Sequence, residues 1–219
     1  GQRGRMEIRV ETRGRSSHGS MPHLGDNAVY KLYPAFKAVE ELNERLADDE
    51  FLGKGTCCVT MVRSHGPSLC AVPDGAELHI DRRLTAGETR ESALNEVEDA
   101  LAAAGAEATV RTLLYEVPSW TGHVHPMDKY YPTWVMPEDH PVVTGAVKAY
   151  EAALGRRPEV GRWTFSTNGI AIRGLHGVPC VGLGPGREDL AHQRDERVPV
   201  KDLVECAAVY ARMAEEFSP

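Results

Sequence analysis

Two of the nine histidines stand where a side chain could do chemistry. His192 closes the polar stretch Gly184-Pro-Gly-Arg-Glu-Asp-Leu-Ala-His192, which follows the apolar run Val178-Pro-Cys-Val-Gly-Leu183. That run is too short for a helix and is bounded by glycines, so it reads as a buried strand. Gly184-Pro-Gly186 then stops the strand and opens a loop. A histidine just past the carboxyl end of a strand sits where open α/β sheets bind ligands and metals. A loop histidine is by itself more often only solvated, so the position is a candidate and nothing more. His18 sits in Gly14-Arg-Ser-Ser-His-Gly-Ser-Met-Pro22, a polar loop punctuated by glycine.

The surrounding pattern supplies the elements that must position these groups. Residues 5–12 alternate apolar and polar, a strand with one wet face. Asp26 or Asn27 caps a helix carrying Val29, Leu32, Phe36, Val39 and Leu42 on its apolar side. Pro34 within it implies a kink or a later start. Strands follow at 56–62 and 77–84, then a helix over 88–104 stopped by Gly105, then a strand at 108–114. Strand-helix-strand-strand-helix-strand is the ferredoxin-like, split βαβ order. Residues 118–140 are rich in Pro, Trp, Tyr and His and read as a connection. From 141 the style becomes α/β: helix 141–154, strand 160–164, helix 168–173, strand 178–183 and helix 200–217. Two short strands are too few for an independent sheet. The expected division is therefore 1–115, complete in itself, and 116–219, which is not.

Bulk properties exclude several classes. The net charge is −7 and Lys and Arg form no basic stripe, which argues against a nucleic-acid partner. No apolar run approaches the ~20 residues that span a bilayer. The five cysteines are odd in number and lack CxxC spacing, so they read as reduced core residues of a cytoplasmic protein. The opening Gly-Gln-Arg-Gly-Arg has neither a methionine start nor a signal peptide and reads as mid-protein sequence, which makes the chain a fragment.

Several motifs occur in order: Gly14-Arg-Ser-Ser-His-Gly-Ser-Met-Pro22 with Gly25-Asp-Asn-Ala28, Asp81-Arg-Arg83 with Gly87-Glu-Thr89, Ser166-Thr-Asn-Gly169, and Gly184-Pro-Gly186 with Ala191-His192 through Glu196. The series resembles the dinuclear-zinc metallohydrolases that include acetylornithine deacetylase, succinyl-diaminopimelate desuccinylase and carboxypeptidase G, and it covers essentially the whole chain. Residues 51–56, 80–84, 118–122 and 163–169 are most similar to hydrolases associated with bacterial selenium metabolism.

The resemblance implies that residues 1–115 are a ferredoxin-like lid and dimerisation domain, followed at 116–219 by the carboxyl-terminal half of a zinc-hydrolase α/β domain. It implies two zinc ions, with cobalt or manganese as alternatives, a homodimer, and a small carboxylate-bearing substrate whose amide bond is cleaved by metal-activated water. It assigns His192 as a metal ligand and His18 as an oxyanion-stabilising group acting across the dimer from a mobile, serine- and glycine-flanked loop. Arg83 becomes a bidentate anchor for a substrate carboxylate, with Arg82 on the opposite strand face. Thr167, Asn168 and Gly169 form a turn whose backbone N–H groups hold an anion. Glu196 orients the loop or bonds nearby backbone. The other metal ligands of the family are expected in sequence preceding this chain. One departure stands out: Cys70 precedes Ala71-Val-Pro73 where relatives carry an Asn, and a thiol cannot supply an amide's two-sided hydrogen bonding. The rival reading, of another class, is a non-catalytic dimerisation or binding module without a metal centre.

Overall fold

A computed structural model describes residues 1–217. It comprises two compact units, one of Arg3–Thr133 and one of Gly1–Gln2 with the chain from Trp134 onward.

The first unit is an antiparallel sheet with two helices on one face. Strand β1 (Gly4–Arg13) buries Met6, Ile8 and Val10 on the helix side, because successive side chains of a strand point to opposite faces. Helix α1 (Ala28–Arg45) begins where the Asn27 carboxamide oxygen accepts from the Val29 N–H at 2.9 Å. It buries Ala28, Leu32, Ala35, Val39 and Leu42. Phe36, expected on that stripe, is 39% exposed, since a turn of 3.6 residues brings Ala35 under Leu32 and Val39. The helix runs through Pro34 without a later start; burial of its apolar face outweighs the one missing N–H.

Strands β2 (Thr56–His65) and β3 (Gly75–Leu84) form a hairpin-like pair. Helix α2 (Arg90–Ala103) follows, opened by a capping box in which Thr89 and Ser92 exchange side-chain-to-backbone bonds. Strand β4 (Thr109–Thr112) closes the set. The lateral order is β2-β3-β1-β4 and every pairing is antiparallel. The core joins Ile8, Val10, Leu78 and Ile80 of the sheet to Leu32, Val39, Val97 and Leu101 of the helices. Each such side chain contributes about 1.5–3 kcal/mol on burial.

The unit runs on past residue 115. Strands β5 (Leu114–Tyr115) and β6 (Met127–Asp128) pair with each other, and β7 (Tyr130–Tyr131) pairs with β1 at Arg5 and Met6, where β4 has left off. The Thr133 hydroxyl accepts from the Gly4 N–H at 3.0 Å and donates to the Leu84 carbonyl at 3.1 Å. The segment read as a connection thus supplies the β1 backbone with partners it would otherwise lack.

Arg82 lies in this core with no solvent exposure. Its guanidinium is paired with Glu88, with Glu96 at 2.8 Å, and with the Arg83 carbonyl at 2.6 Å. All five cysteines are free. Cys57 is buried, and burial pushes its thiol up to about 12. Cys58 and Cys70 are exposed, contrary to the core reading: Cys58 follows Cys57 in the same strand and so faces the other way.

The second unit packs helix α3 (Pro141–Leu154) on helix α4 (Val200–Glu216). Gly145 permits the approach, because a Cβ there would lie 2.7 Å from the Phe217 ring. A smaller core gathers Trp134, Met136 and Val143, with Ile170 and Cys180 against them. Neither expected strand forms. Within 160–164 only Trp163 makes an isolated bridge, to Gln2, and 178–183 has no ladder partner among the described residues. Val178 is 51% exposed. A strand exists only through a neighbour that takes its N–H and C=O groups, and a run of apolar residues cannot reveal whether that neighbour is present. The expected helix at 168–173 is the short, wide-wound turn Ile170–Leu175. The architecture is α+β, and the α/β arrangement expected after residue 116 is not formed.

Candidate functional site

His18 projects from a loop that leaves β1 at Arg13. The loop is fixed by backbone bonds: Gly14 N–H to the Asp74 carbonyl (2.9 Å), a reciprocal pair between Arg15 and Asp26 (2.8 Å each), Val72 N–H to Ser17 (2.8 Å) and Gly19 N–H to Cys70 (2.7 Å). Two glycines are required by this closeness, since a Cβ on Gly14 would sit 2.0 Å from the Asp26 oxygen and one on Gly19 2.6 Å from the Cys70 oxygen. The loop is therefore pinned, not loosely tethered as its Gly and Ser content suggests. His18 itself is exposed. Its Nδ1 accepts from the Ser20 N–H at 3.2 Å and lies 2.8 Å from the Ser20 hydroxyl. With Nδ1 accepting, the neutral ring carries its proton on Nε2. The backbone beneath His18 is held by Cys70, so the residue that departs from the family pattern is His18's neighbour.

Arg83 lies on the sheet face away from the helices, opposite Arg82, as strand alternation requires. Its Nε donates to Asp81 at 2.6 Å and a terminal nitrogen reaches the other oxygen at 3.3 Å. Asp81 also accepts from Arg5 at 3.2 Å. On the same face Glu7 accepts from Arg5 (2.6 Å), His79 (2.9 Å) and Lys129 (2.9 Å). Burial alone would raise the Glu7 carboxyl, but the Lys129 and His79 bonds and the Arg5 charge together hold it below the ordinary carboxylate value. Arg83 thus already holds a carboxylate, and a substrate would enter by competing with Asp81.

In the second unit the Ser166–Gly169 turn is gripped from below. The Thr167 N–H (3.1 Å) and hydroxyl (2.6 Å) both donate to the Gln2 carboxamide oxygen, and the Gly169 N–H donates to the Thr167 hydroxyl at 3.1 Å. Two of the three backbone donors expected to hold an anion are therefore engaged internally. The Asn168 N–H has no hydrogen-bond partner among the described residues. Sequence reasoning missed Gln2 entirely, because a lone buried glutamine carries no periodic signal.

His192 has φ 61°, the left-handed region, and no other non-glycine residue among those described shares it. That conformation costs on the order of 1–3 kcal/mol and concentrates at functional positions. The His192 N–H donates to the Glu196 carboxylate at 3.1 Å, which fixes the backbone and gives Glu196 its orienting place. The ring is exposed. Upstream, Glu188 accepts from the N–H and hydroxyl of Thr164, both at 2.6 Å, tying the approach to His192 to the approach to the 166–169 turn. A cleft of about 220 Å³ is lined by Gly184, Pro185, Gly186, Tyr150, Asp202 and Glu205, and no candidate site residue reaches it. His140 is a helix cap, its Nδ1 accepting from the Val142 N–H at 3.1 Å. Among the described residues no three His, Cys, Asp or Glu side chains are grouped to hold a metal. His192 belongs to no such group among the described residues.

Comparison with known proteins adds the following. Residues 1–109 match the M20 peptidase dimerisation domain. The uncharacterized protein YgeY of Escherichia coli K12 is 51% identical over 211 residues, 96% of this chain and 52% of that protein. A succinyl-diaminopimelate desuccinylase of Magnetococcus marinus is 27% identical over 220 residues, spanning 53% of its length. The crystal structure of aminopeptidase PepT from Bacillus cereus superposes with a TM-score of 0.67 at 20% identity over 98% of this chain and 52% of that one, a likeness of fold alone. The chain spans about half the length of each.

Proposed function

As a member of the M20 peptidase family carrying that family's dimerisation domain over residues 1–109, this chain is, we propose, the lid and the carboxyl-terminal catalytic part of a zinc-dependent amidohydrolase. The lid is the ferredoxin-like sheet with its two helices, and it carries a homodimer interface. The proposed division is a lid over 1–115 and a catalytic part over 116–219, and the lid lies within the compact unit Arg3–Thr133 but for its first two residues. The substrate is a small carboxylate-bearing amide and the setting is cytoplasmic. No helix among the described residues is long and apolar enough to cross a membrane. The selenium association suggested by the motifs finds no support in the names of the relatives above.

The observation that carries the reading is His18. It is exposed on a pinned loop, with Nδ1 satisfied by Ser20, which leaves the ring proton on Nε2. A donor fixed in advance is what a developing oxyanion requires, because no reorganisation is left for the reaction step. His192 would hold one zinc through its unencumbered ring. When bound, zinc lowers the pKa of its water toward neutrality and polarises the scissile carbonyl. Arg83 binds the substrate carboxylate through its planar fork, displacing Asp81, and Asp81 re-forms the pair after release. Asn168 offers its N–H to a second polar end of the substrate.

The test is a panel of N-acetylornithine, N-succinyl-diaminopimelate and a tripeptide, assayed with the full-length protein after chelation and after zinc is restored. One of these amides should be hydrolysed only when zinc is present. On that substrate Arg83→Lys should raise KM by about 10- to 100-fold, the scale of a charged hydrogen bond, with little change for an analogue lacking the carboxylate. Equal losses on both would remove Arg83 from the anchor role. No hydrolysis of any amide with zinc bound would favour the rival, a dimerisation module without catalysis.

A further inference from the structure

We propose that Gln2 and Trp134 form a clamp that positions the Ser166–Gly169 turn, making Gln2 a positioning residue for the substrate's anionic end; this rests on the reading of Asn168 as an anion contact. Gln2 has no solvent exposure, a costly setting for a carboxamide unless it is bonded. Its oxygen takes both polar hydrogens of Thr167, at 3.1 and 2.6 Å. Its backbone is paired with Trp134, N–H to carbonyl at 3.1 Å and the return bond at 3.4 Å. Trp134 in turn lies under the far end of the turn. A Cβ on Gly169 would meet the indole at 2.6 Å, so the glycine is there for closeness to the ring. The two grips are joined through the Thr167 hydroxyl, which accepts from the Gly169 N–H. Asn168, between them, is the one residue of the three whose donor stays free.

The clamp is polar where an apolar one would be cheaper. The Gln2 Nε2, the Trp134 Nε1 and the Ser166 hydroxyl are all buried without a partner among the described residues. The Gln2 oxygen orients Thr167 through both its hydrogens, which an apolar side chain could not do. Gln2 and Trp134 are also the residues at which the chain enters this unit from each side. The turn is therefore referenced to the two points where the unit is tethered.

The experiment measures succinate, as a dicarboxylate probe, binding to the full-length protein by titration calorimetry below the melting temperature of every variant. Thr167→Ser keeps both hydrogens that the Gln2 oxygen accepts and should bind within about threefold of wild type. Gln2→Met keeps the volume and loses the acceptor, and should weaken binding about tenfold, or about 1.4 kcal/mol. Asn168→Pro, which removes the backbone N–H, should weaken it at least as much. A double variant, Gln2→Met with Thr167→Val, should lose less than the sum of the two singles, because both delete the bond from the Thr167 hydroxyl to Gln2. Should Gln2→Met fail to fold, Gln2→Asn, one methylene too short to reach Thr167, carries the same expectation. Weakened binding by Asn168→Pro with Gln2→Met unchanged would overturn the clamp and leave the anion site standing, as would strictly additive losses in the double variant. Absence of succinate binding by wild type, or indifference to Asn168→Pro, would sink the anion site and the clamp with it.

Discussion

Mixing a His18→Ala protein with a His192→Ala protein should restore roughly a quarter of wild-type activity, although each alone should lose two to three orders of magnitude, the usual cost of deleting an oxyanion donor. The arithmetic follows from a two-fold assembly. In a mixed dimer the His18→Ala subunit keeps its own His192 and receives an intact His18 from its neighbour, so one site of two is complete. Random exchange makes half the dimers mixed. The expectation needs His18 to be presented outward and held, and its loop is pinned at five backbone bonds with the ring exposed. If His18 instead serves its own subunit, both sites of the mixed dimer are broken and nothing returns. Subunit exchange would be confirmed with mass-tagged chains, and exchange without recovery would falsify action across the dimer.

Arg82→Met should lower the stability of the lid unit by about 3–5 kcal/mol, the range for removing one partner of a buried ion pair. The guanidinium is inaccessible to solvent and its partner Glu88 has a side chain only 8% exposed, while Glu96 stays half in water. Taking Arg82 away leaves Glu88 as an uncompensated buried carboxylate, apart from the Thr85 N–H that it accepts at 2.5 Å. A urea titration reads the change as a midpoint lowered by about 1.5–2.5 M for a slope near 2 kcal/mol/M. Adding Glu88→Gln to Arg82→Met should recover part of the loss, since the remaining group is then neutral. A midpoint within about 0.3 M of wild type would mean that Arg82 is dispensable to the core. The contrast with Arg83 is sharp: one residue on, the strand turns the same side chain outward, and its substitution should move substrate binding and hardly touch stability.

Much of this molecule is local in origin and so was legible in the amino-acid order. Alternation along β1 and β3 separates Arg82 from Arg83, and the Asn27 and Thr89 caps mark where α1 and α2 begin. The position of His192 past a glycine-proline turn is equally local, as is the family pattern carried by the motifs. These features depend on neighbours one to four residues apart, which a side-chain period or a cap reports directly. The pinned His18 loop, the return of residues 127–133 onto β1, the pairing of Arg83 with Asp81 and the left-handed backbone of His192 were decided by tertiary structure. So was the lack of strands at 160–164 and 178–183, where no ladder partner lies among the described residues. The strongest case is Gln2, whose carboxamide meets Thr167 across 165 residues of sequence. A hydrogen bond between groups so far apart leaves no spacing to read, because its two ends are brought together only when the whole chain has packed.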